Sequence, residues 1–396
     1  MTSPTVRSTA ALARARLAAA GGFATQGLVF ISLTTRLPDF SDRWRLSEIE
    51  LSGLLLMMVL LAGVGSVLAE KLASRQDSAT LLRGGLATIA VAVPVMALAP
   101  ALGLFVGGMA AYGVALGVVD ASTNMQAVAL EHRYGRPILP SFHGAWTLGG
   151  LTGSAITLAT AHLPLELTAV LGVVPLVALA GPFLRRVGDP VSSGPRVEVP
   201  WRPIIVVGLA MVLFYMVDTA AFTWGPTYLD HVFPTPSSLV ALATFPYLLA
   251  SGAMRLAGDG AVARFGPVAV LRIGALVACG GLAVVVFAPT WQVAVLGFLV
   301  MGAGVAVIAP LSFSAAARIA GDAGDDDPSL RHARVDAVIG RFNQFNYLGA
   351  LLGAVLTGVV GAGDLRIGFA VPMVLVLGIV PLARAFGGGA NSQPGL

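Results

Sequence analysis

The sequence predicts an all-α membrane protein with twelve transmembrane helices, and three observations predict it. Of 396 residues, 56% are hydrophobic and 11% are charged, whereas an ordinary soluble domain carries about a quarter charged residues. The mean hydropathy is +0.85, more apolar surface than a soluble chain of this length could hide. The charged residues are gathered between apolar runs, and each run approaches the roughly 20 residues that a helix needs to cross a bilayer core. The runs are continuous rather than alternating, which disfavours a transmembrane β-barrel.

Residues 17–35 and 51–69 each supply one span. Residues 84–119 are long enough for two, with a turn at Pro100 between them. Residues 137–165 and 167–184 complete the first six. Residues 203–229, interrupted by Asp218, and 232–254 give the seventh and eighth. Residues 273–317 hold two spans, divided near Pro289 and Thr290, and 342–363 and 367–383 close the series.

Orientation follows from the basic residues. With the N-terminus inside, Lys71 and nearly all the arginines fall in inner tails and loops, and only Arg36, Arg43, Arg45 and Arg366 fall outside. Basic loops stay on the cytoplasmic side, so both termini are expected in the cytoplasm. The basic pI of about 9.6 reflects this asymmetry. No loop combines dense basic charge with aromatics, so no nucleic-acid partner is expected. The single cysteine, Cys279, excludes an internal disulfide framework. Arg14 and Arg16 interrupt the first apolar stretch, which is unlike a cleavable signal. The preference for Arg over Lys, with abundant Ala and Gly, points to a bacterial cytoplasmic (inner) membrane.

The longest polar connection, 185–202, contains Pro190, Gly194, Pro195 and Pro200 and divides the chain into halves, 1–184 and 203–396. The halves echo each other. Gly63, Glu70, Arg75, Leu82, Arg83 and Gly85 recur 189 positions later as Gly252, Asp259, Arg264, Leu271, Arg272 and Gly274. Phe142, His143, Gly149 and Gly153 recur 200 positions later as Phe342, Asn343, Gly349 and Gly353. Transporters with two mobile bundles are built from such repeats.

These motifs resemble the signature of the major facilitator superfamily, in which a glycine, an acid and basic residues follow span two and recur after span eight. The stretch from Gly252 through Arg255 and Asp259 to Arg264 and Gly266 is the closer copy, and the first copy has Glu70 for the usual Asp. The resemblance implies two six-helix bundles related by pseudo-twofold symmetry. It also implies gating charges, here Glu70, Arg75, Arg83, Arg255, Asp259, Arg264 and Arg272, that hold one bundle against the other at the cytoplasmic face. The bland alternative is loop charge retained for orientation alone.

Ionisable residues inside spans are costly and mark function by default. Gly113, Gly117, Asp120 and Asn124 share one face of span four. The glycines allow a close helix contact, and Asp120 lies about 15 Å of helix from Glu131, near mid-membrane. Asp120 is a candidate proton carrier, against a purely structural hydrogen bond. Asp218 in span seven is a second candidate, followed by Trp224, which either stacks on a solute or sits in the interfacial aromatic belt. Tyr228 reads as belt. His143 could share a proton with Asp120 or bond between helices, and Trp146 lies beside it. Asn343 and Asn346, one turn apart, could present amides to one ligand or serve as inter-helix glue. Gln26 is a weaker candidate of the same kind.

The same stretch is similar to the fucose-permease-like group of that superfamily. There a fourth-span acid precedes Asn by four residues, as Asp120 precedes Asn124, and Phe142–His143 precede a glycine-rich span five. Residues Thr35-Arg36-Leu37-Pro38 and Leu46-Ser47 also match, whereas Gln26 stands where the sugar permease has an acid. The resemblance implies Asp120 as the proton carrier and Asn124 as a substrate contact.

Asp322, Asp325, Asp326 and Asp327 lack the order of ligands of a calcium loop. No phosphate-binding loop, nucleophile elbow or metal-binding helix motif occurs, so neither an enzyme nor a bound cofactor is expected. A Gly-Pro antiporter signature is absent from Leu148-Gly-Gly-Leu-Thr-Gly153, which leans towards symport. The expected partners are therefore the lipid bilayer, a small polar solute and protons, and a monomer suffices. The alternatives are sodium coupling through Asp120, Ser122 and Asn124, a proton-coupled drug or metabolite exporter, and a non-transporting receptor or assembly factor.

Overall fold

A computed structural model describes residues 4–73, 75–134, 138–185, 200–322, 338, 342 and 344–387. The expectations for Asn343, for most of the 185–202 linker, for the acidic loop after Asp322 and for the Asp259 side chain fall outside what is described. Among the described residues all regular structure is helical.

The twelve spans are present. The first unit holds Pro4–Thr35, Glu48–Ala73, Ser78–Leu98, Leu102–Tyr134, Leu139–Thr160 and a sixth, shorter span made of a 3-10 segment, Leu165–Gly172, and a helix, Val173–Leu179. The second unit begins with Trp201–Val232 as span seven. Span eight starts as a 3-10 segment, Ser237–Ala243, and continues into the helix Phe245–Val286, which also contains span nine. Trp291–Val305 and Ile308–Asp322 form span ten, Gln344–Val360 is span eleven, and Leu365–Leu375 with its short continuations to Phe386 is span twelve. The turns at Pro100 and at Pro289–Thr290 fall where the sequence places them.

Local chemistry explains several boundaries. A short helix, Leu37–Trp44, joins spans one and two and ends at Arg45 in the left-handed conformation (φ 53°). Span two opens with a reciprocal cap. The Ser47 hydroxyl accepts from the Glu50 amide at 3.3 Å, and the Glu50 carboxylate accepts from the Ser47 amide at 2.9 Å, satisfying two otherwise orphan donors.

Two boundaries differ from the sequence reading. Residues 255–272 are not an open loop, because the helix breaks only at Gly266 (φ 75°, ψ 159°), just before Pro267. A left-handed φ costs a glycine little, and the proline cannot donate to the preceding turn. Span ten is not continuous, because Ala306 and Val307 interrupt it. Pro310 has no N–H to give the Ala306 carbonyl four residues earlier. Arg255 Nε donates to that carbonyl instead, at 3.3 Å.

By contacts, the chain forms two compact units, Met1–Pro190 with Pro236–Ala241, and Val191–Thr235 with Leu242–Leu396. Each unit repeats the other's internal contacts. A Cβ on Gly113 would meet the Met58 carbonyl, and one on Gly302 would meet that of Tyr247, 189 positions later in both partners. Gly85 faces the Ala115 carbonyl as Gly274 faces that of Gly304, at the same offset. Gly149 and Gly153 press on the carbonyls of Ala24 and Leu28, and Gly349 and Gly353 press on those of Val212 and Met216. The glycines let helix backbones touch, which drives helix association in lipid.

Arginines close the helix ends. Arg36 donates to the carbonyls of Thr160 and Ala161 at the end of span five, at 2.6 and 3.4 Å. Arg43 donates to those of Ala97 and Ala99 at the end of span three, at 3.2 and 3.1 Å. In the second unit Arg366 donates to Val286 and Ala288, both at 2.8 Å. Those acceptors are the repeat equivalents of Ala97 and Ala99. A helix C-terminus leaves carbonyls without partners and attracts cations, so these arginines have a structural task.

Candidate functional site

The close contact of Gly149 and Gly153 with Ala24 and Leu28 brackets Gln26 and fixes it beside span five. On the other side, Gly113 and Gly117 bring span four against span two and orient Asp120. Gln26 Nε2 then donates to Asp120 Oδ1 at 3.4 Å. Asn124 Nδ2 donates to the Asp120 backbone carbonyl at 2.9 Å and reaches Asp120 Oδ1 at 3.5 Å. Gln26 is 7% exposed, and its Oε1 has no hydrogen-bond partner. The sequence candidates Gln26, Asp120 and Asn124 thus meet in one cluster.

Span five lays His143 and Trp146 against span one. The His143 ring stands edge-on to Phe23 at 5.5 Å, and Trp146 lies 6.5 Å from Phe30. Phe23 and Phe30 are two helical turns apart on span one, so both pairs line the face that carries Gln26.

In the second unit Asp218 is buried on span seven. The Tyr247 hydroxyl, on span eight, donates to Asp218 Oδ1 at 2.5 Å. Tyr247 is fully buried and stands edge-on to Phe222 at 5.3 Å. Arg255 lies two turns further along the same helix. Tyr247 was invisible to a search for charged groups in spans. Its one sequence signal is a phenol in an otherwise apolar run.

Several expectations are corrected. Trp224 is fully buried, and its indole N–H donates to the Ala354 carbonyl on span eleven at 2.7 Å; it ties two helices together and offers no free face to a solute. Tyr228 is not in an interfacial belt. It is buried among Phe233, Phe298 and Phe369, with its hydroxyl on the Val285 carbonyl at 2.5 Å. Arg83 donates to the carbonyls of Leu179 and Gly181 at 3.2 and 2.8 Å and covers Phe183. Its repeat equivalent Arg272 donates to the Val380 carbonyl at 3.3 Å. Both therefore tie span three or nine to the end of the last helix in their own unit. Glu70, Arg75 and Arg264 are exposed, Arg264 lying over Phe265. Asn346 is half-buried on span eleven.

No protein-family model matches the chain. An uncharacterised transporter of Sinorhizobium fredii is 27% identical over 305 residues, 75% of this chain and 81% of that one. An uncharacterised MFS-type transporter of Yersinia pestis is 25% identical over 375 residues, 92% of this chain and 93% of that one. Membrane protein MosC of Rhizobium meliloti is 26% identical over 309 residues, 74% of each. Among solved structures, a mutant of the nucleoside transporter NupG superposes with a TM-score of 0.71 at 13% identity, over 95% of this chain and all of that one. The major facilitator transporter FucP, in an outward conformation, gives a TM-score of 0.62 at 16% identity, over 94% and 98%.

Twelve apolar helices, the duplicated contacts and this likeness define a multi-pass membrane transporter with the fold of the major facilitator superfamily.

Proposed function

We propose that the chain is a proton-coupled symporter that carries a small polar solute across the bacterial cytoplasmic membrane by alternating access, with both termini in the cytoplasm. The single observation that supports this most is the Gln26–Asp120–Asn124 cluster. A carboxyl group inside a span is expensive to maintain. Here two carboxamides attend it. A proton binding to Asp120 removes its charge and changes what the amides can do. Gln26 Oε1 then offers a buried acceptor, which costs free energy until a donor arrives. A hydroxyl-bearing solute, sugar-like or a related metabolite, supplies that donor, and Phe30 and Trp146 supply ring faces. Asp218, with Tyr247, is a second place where a proton can be held.

The solved structures of similar fold are named for a nucleoside and, in the case of FucP, for fucose with a proton, which supports the same direction. The test uses purified protein in vesicles. A thermal-shift screen of sugars, nucleosides, organic acids and antibiotics first picks a stabilising solute. Adding that solute outside lightly buffered vesicles should alkalinise the outer medium as solute and protons enter together. Uptake of the solute without any proton movement would refute the coupling.

A further inference from the structure

Spans four and ten keep the repeat register beyond the break in span ten. Thr123 Oγ1 donates to the Val119 carbonyl at 2.8 Å, and Ser312 Oγ donates to the Ile308 carbonyl at 2.8 Å, 189 positions later in both partners. Gln126 on span four therefore corresponds to Ala315 on span ten. By the same offset Ser78, which opens span three, corresponds to Pro267, which opens span nine after the kink.

The two units treat this place differently. In the first, Gln126 is fully buried and fills it. Its Nε2 donates to Ser78 Oγ and to the Leu184 carbonyl, both at 2.8 Å, and its Oε1 accepts from the Leu184 amide at 2.8 Å. In the second, Ala315 has no side chain to cross the gap, and Pro267 has no hydroxyl to meet one. The space is a cavity of about 450 Å³ with Pro267, Leu311, Ala315 and Phe386 in its walls. Arg318, one turn beyond Ala315 and on the same helix face, lines it together with Ser314. Arg318 Nη2 donates to the Phe386 carbonyl at 2.9 Å, much as Gln126 serves Leu184 at the end of span six. A neutral amide that fills the space has thus been exchanged for a cation that leaves it open. A guanidinium carries five N–H donors, so one bond to Phe386 leaves it able to bind more. Ala263, also in the wall, is followed by Arg264 and Phe265, both exposed, a basic and an aromatic residue of the kind found at the headgroup level. The acid nearest to Arg318 along span ten, Asp322, is exposed at the helix end.

We propose that this cavity binds an anionic phospholipid from the leaflet on the arginine-rich side of the membrane. Arg318 and Ser314 hold the phosphate oxygens, and an acyl chain lies along Pro267, Leu311 and Phe386. The mixed lining selects this class of ligand. A soluble anion would leave the apolar walls wet, and a hydrocarbon chain alone would strip water from a cation without replacing it. A phospholipid satisfies both, because a guanidinium matches a phosphate in charge and in planar donor geometry, and basic pockets between spans are where headgroups bind. The site lies within the second unit and does not depend on the symport reading.

Native mass spectrometry of the full-length, delipidated protein tests this with three probes. Phosphatidylglycerol has both phosphate and chains, diacylglycerol has chains alone, and inorganic phosphate has no chains. The wild type should bind one phosphatidylglycerol more tightly than any further copy, and more tightly than diacylglycerol. Arg318→Gln should weaken that first binding roughly tenfold, the size of one charge-assisted hydrogen bond, and Arg318→Lys should recover part of it. Ala315→Gln, which closes the space as Gln126 does in the first unit, should weaken it as much with Arg318 still in place. First-site binding that survives either Arg318→Gln or Ala315→Gln, or that diacylglycerol matches, overturns the site. Inorganic phosphate bound as tightly as the lipid overturns the lipid as its occupant. Should Arg318→Gln not be recovered as a folded protein, Ala315→Gln decides alone. Loss of this site would leave the symport reading untouched, since that reading stands on Gln26, Asp120 and Asn124 in the other unit.

Discussion

Gln26 gives its side-chain N–H to Asp120 Oδ1 at 3.4 Å, while its own carbonyl oxygen stays buried without a partner. One amide therefore serves two purposes. Its donor end ties span one to the acid on span four, and its acceptor end has no partner.

The first prediction concerns that open oxygen. Gln26→Ala removes the acceptor and leaves Asn124 on Asp120. The apparent affinity for the solute should fall about tenfold, the size of one well-placed hydrogen bond of about 1.4 kcal/mol. Equilibrium binding checks this, and thermal stability should fall by about 1 kcal/mol at most, because Asp120 loses the Gln26 donor but keeps Asn124.

The second prediction concerns Trp224. Trp224→Phe keeps an aromatic ring but removes the indole N–H that the Ala354 carbonyl, inside the span-eleven helix, accepts at 2.7 Å. Losing such a hydrogen bond costs about 0.5–1.5 kcal/mol. Thermal unfolding should move down while solute affinity stays the same. A lost affinity with unchanged stability would restore Trp224 as a solute contact.

A third follows from the glycine contacts. A Cβ at Gly149 or at Gly349 would overlap a backbone carbonyl oxygen of span one or span seven, and a backbone oxygen cannot rotate away as a side chain can. Gly149→Ala and Gly349→Ala should each destabilise by about 1–3 kcal/mol or more, whereas Gly103→Ala, where nothing lies within 4 Å, should be neutral. Thermal unfolding of the three variants in one detergent compares them directly.

The fourth concerns the arginine clamps at the helix ends. Arg366→Ala removes the donor from both the Val286 and Ala288 carbonyls and the cation from the face of Phe233. Stability should fall by about 1–3 kcal/mol, and Arg366→Lys should recover only part of it, because an ammonium lacks the planar fork that serves two carbonyls. Full recovery with Lys would mean that charge near the helix end is all that matters.

The sequence made the spans legible because lipid demands long apolar runs, and the positions of Pro100 and Pro289 marked two turns correctly. The Gly149 and Gly153 repeat was legible because a close contact requires the same small residue at the same spacing in both halves. Asp120 with Asn124 was legible because an acid and an amide four residues apart share a helix face. What could not be read were the partners. Arg83 and Arg272 stand out by spacing, yet their acceptors are backbone carbonyls, which leave no mark in a sequence. Tyr247 is one phenol among many apolar residues until Asp218 is placed opposite it. The break in span ten was missed because Pro310 alone does not say whether a helix kinks or stops; Arg255 on the Ala306 carbonyl decides that.

The central claim is that Asp120 carries the coupling proton, and one measurement reaches it most directly. Wild-type protein and Asp120→Asn are reconstituted in vesicles, and uptake of a stabilising solute is followed with and without an imposed proton gradient. The variant should keep its fold and exchange solute across the membrane at equal concentrations, but it should no longer accumulate solute against a gradient when protons are supplied. Undiminished proton-driven accumulation by Asp120→Asn would contradict the account.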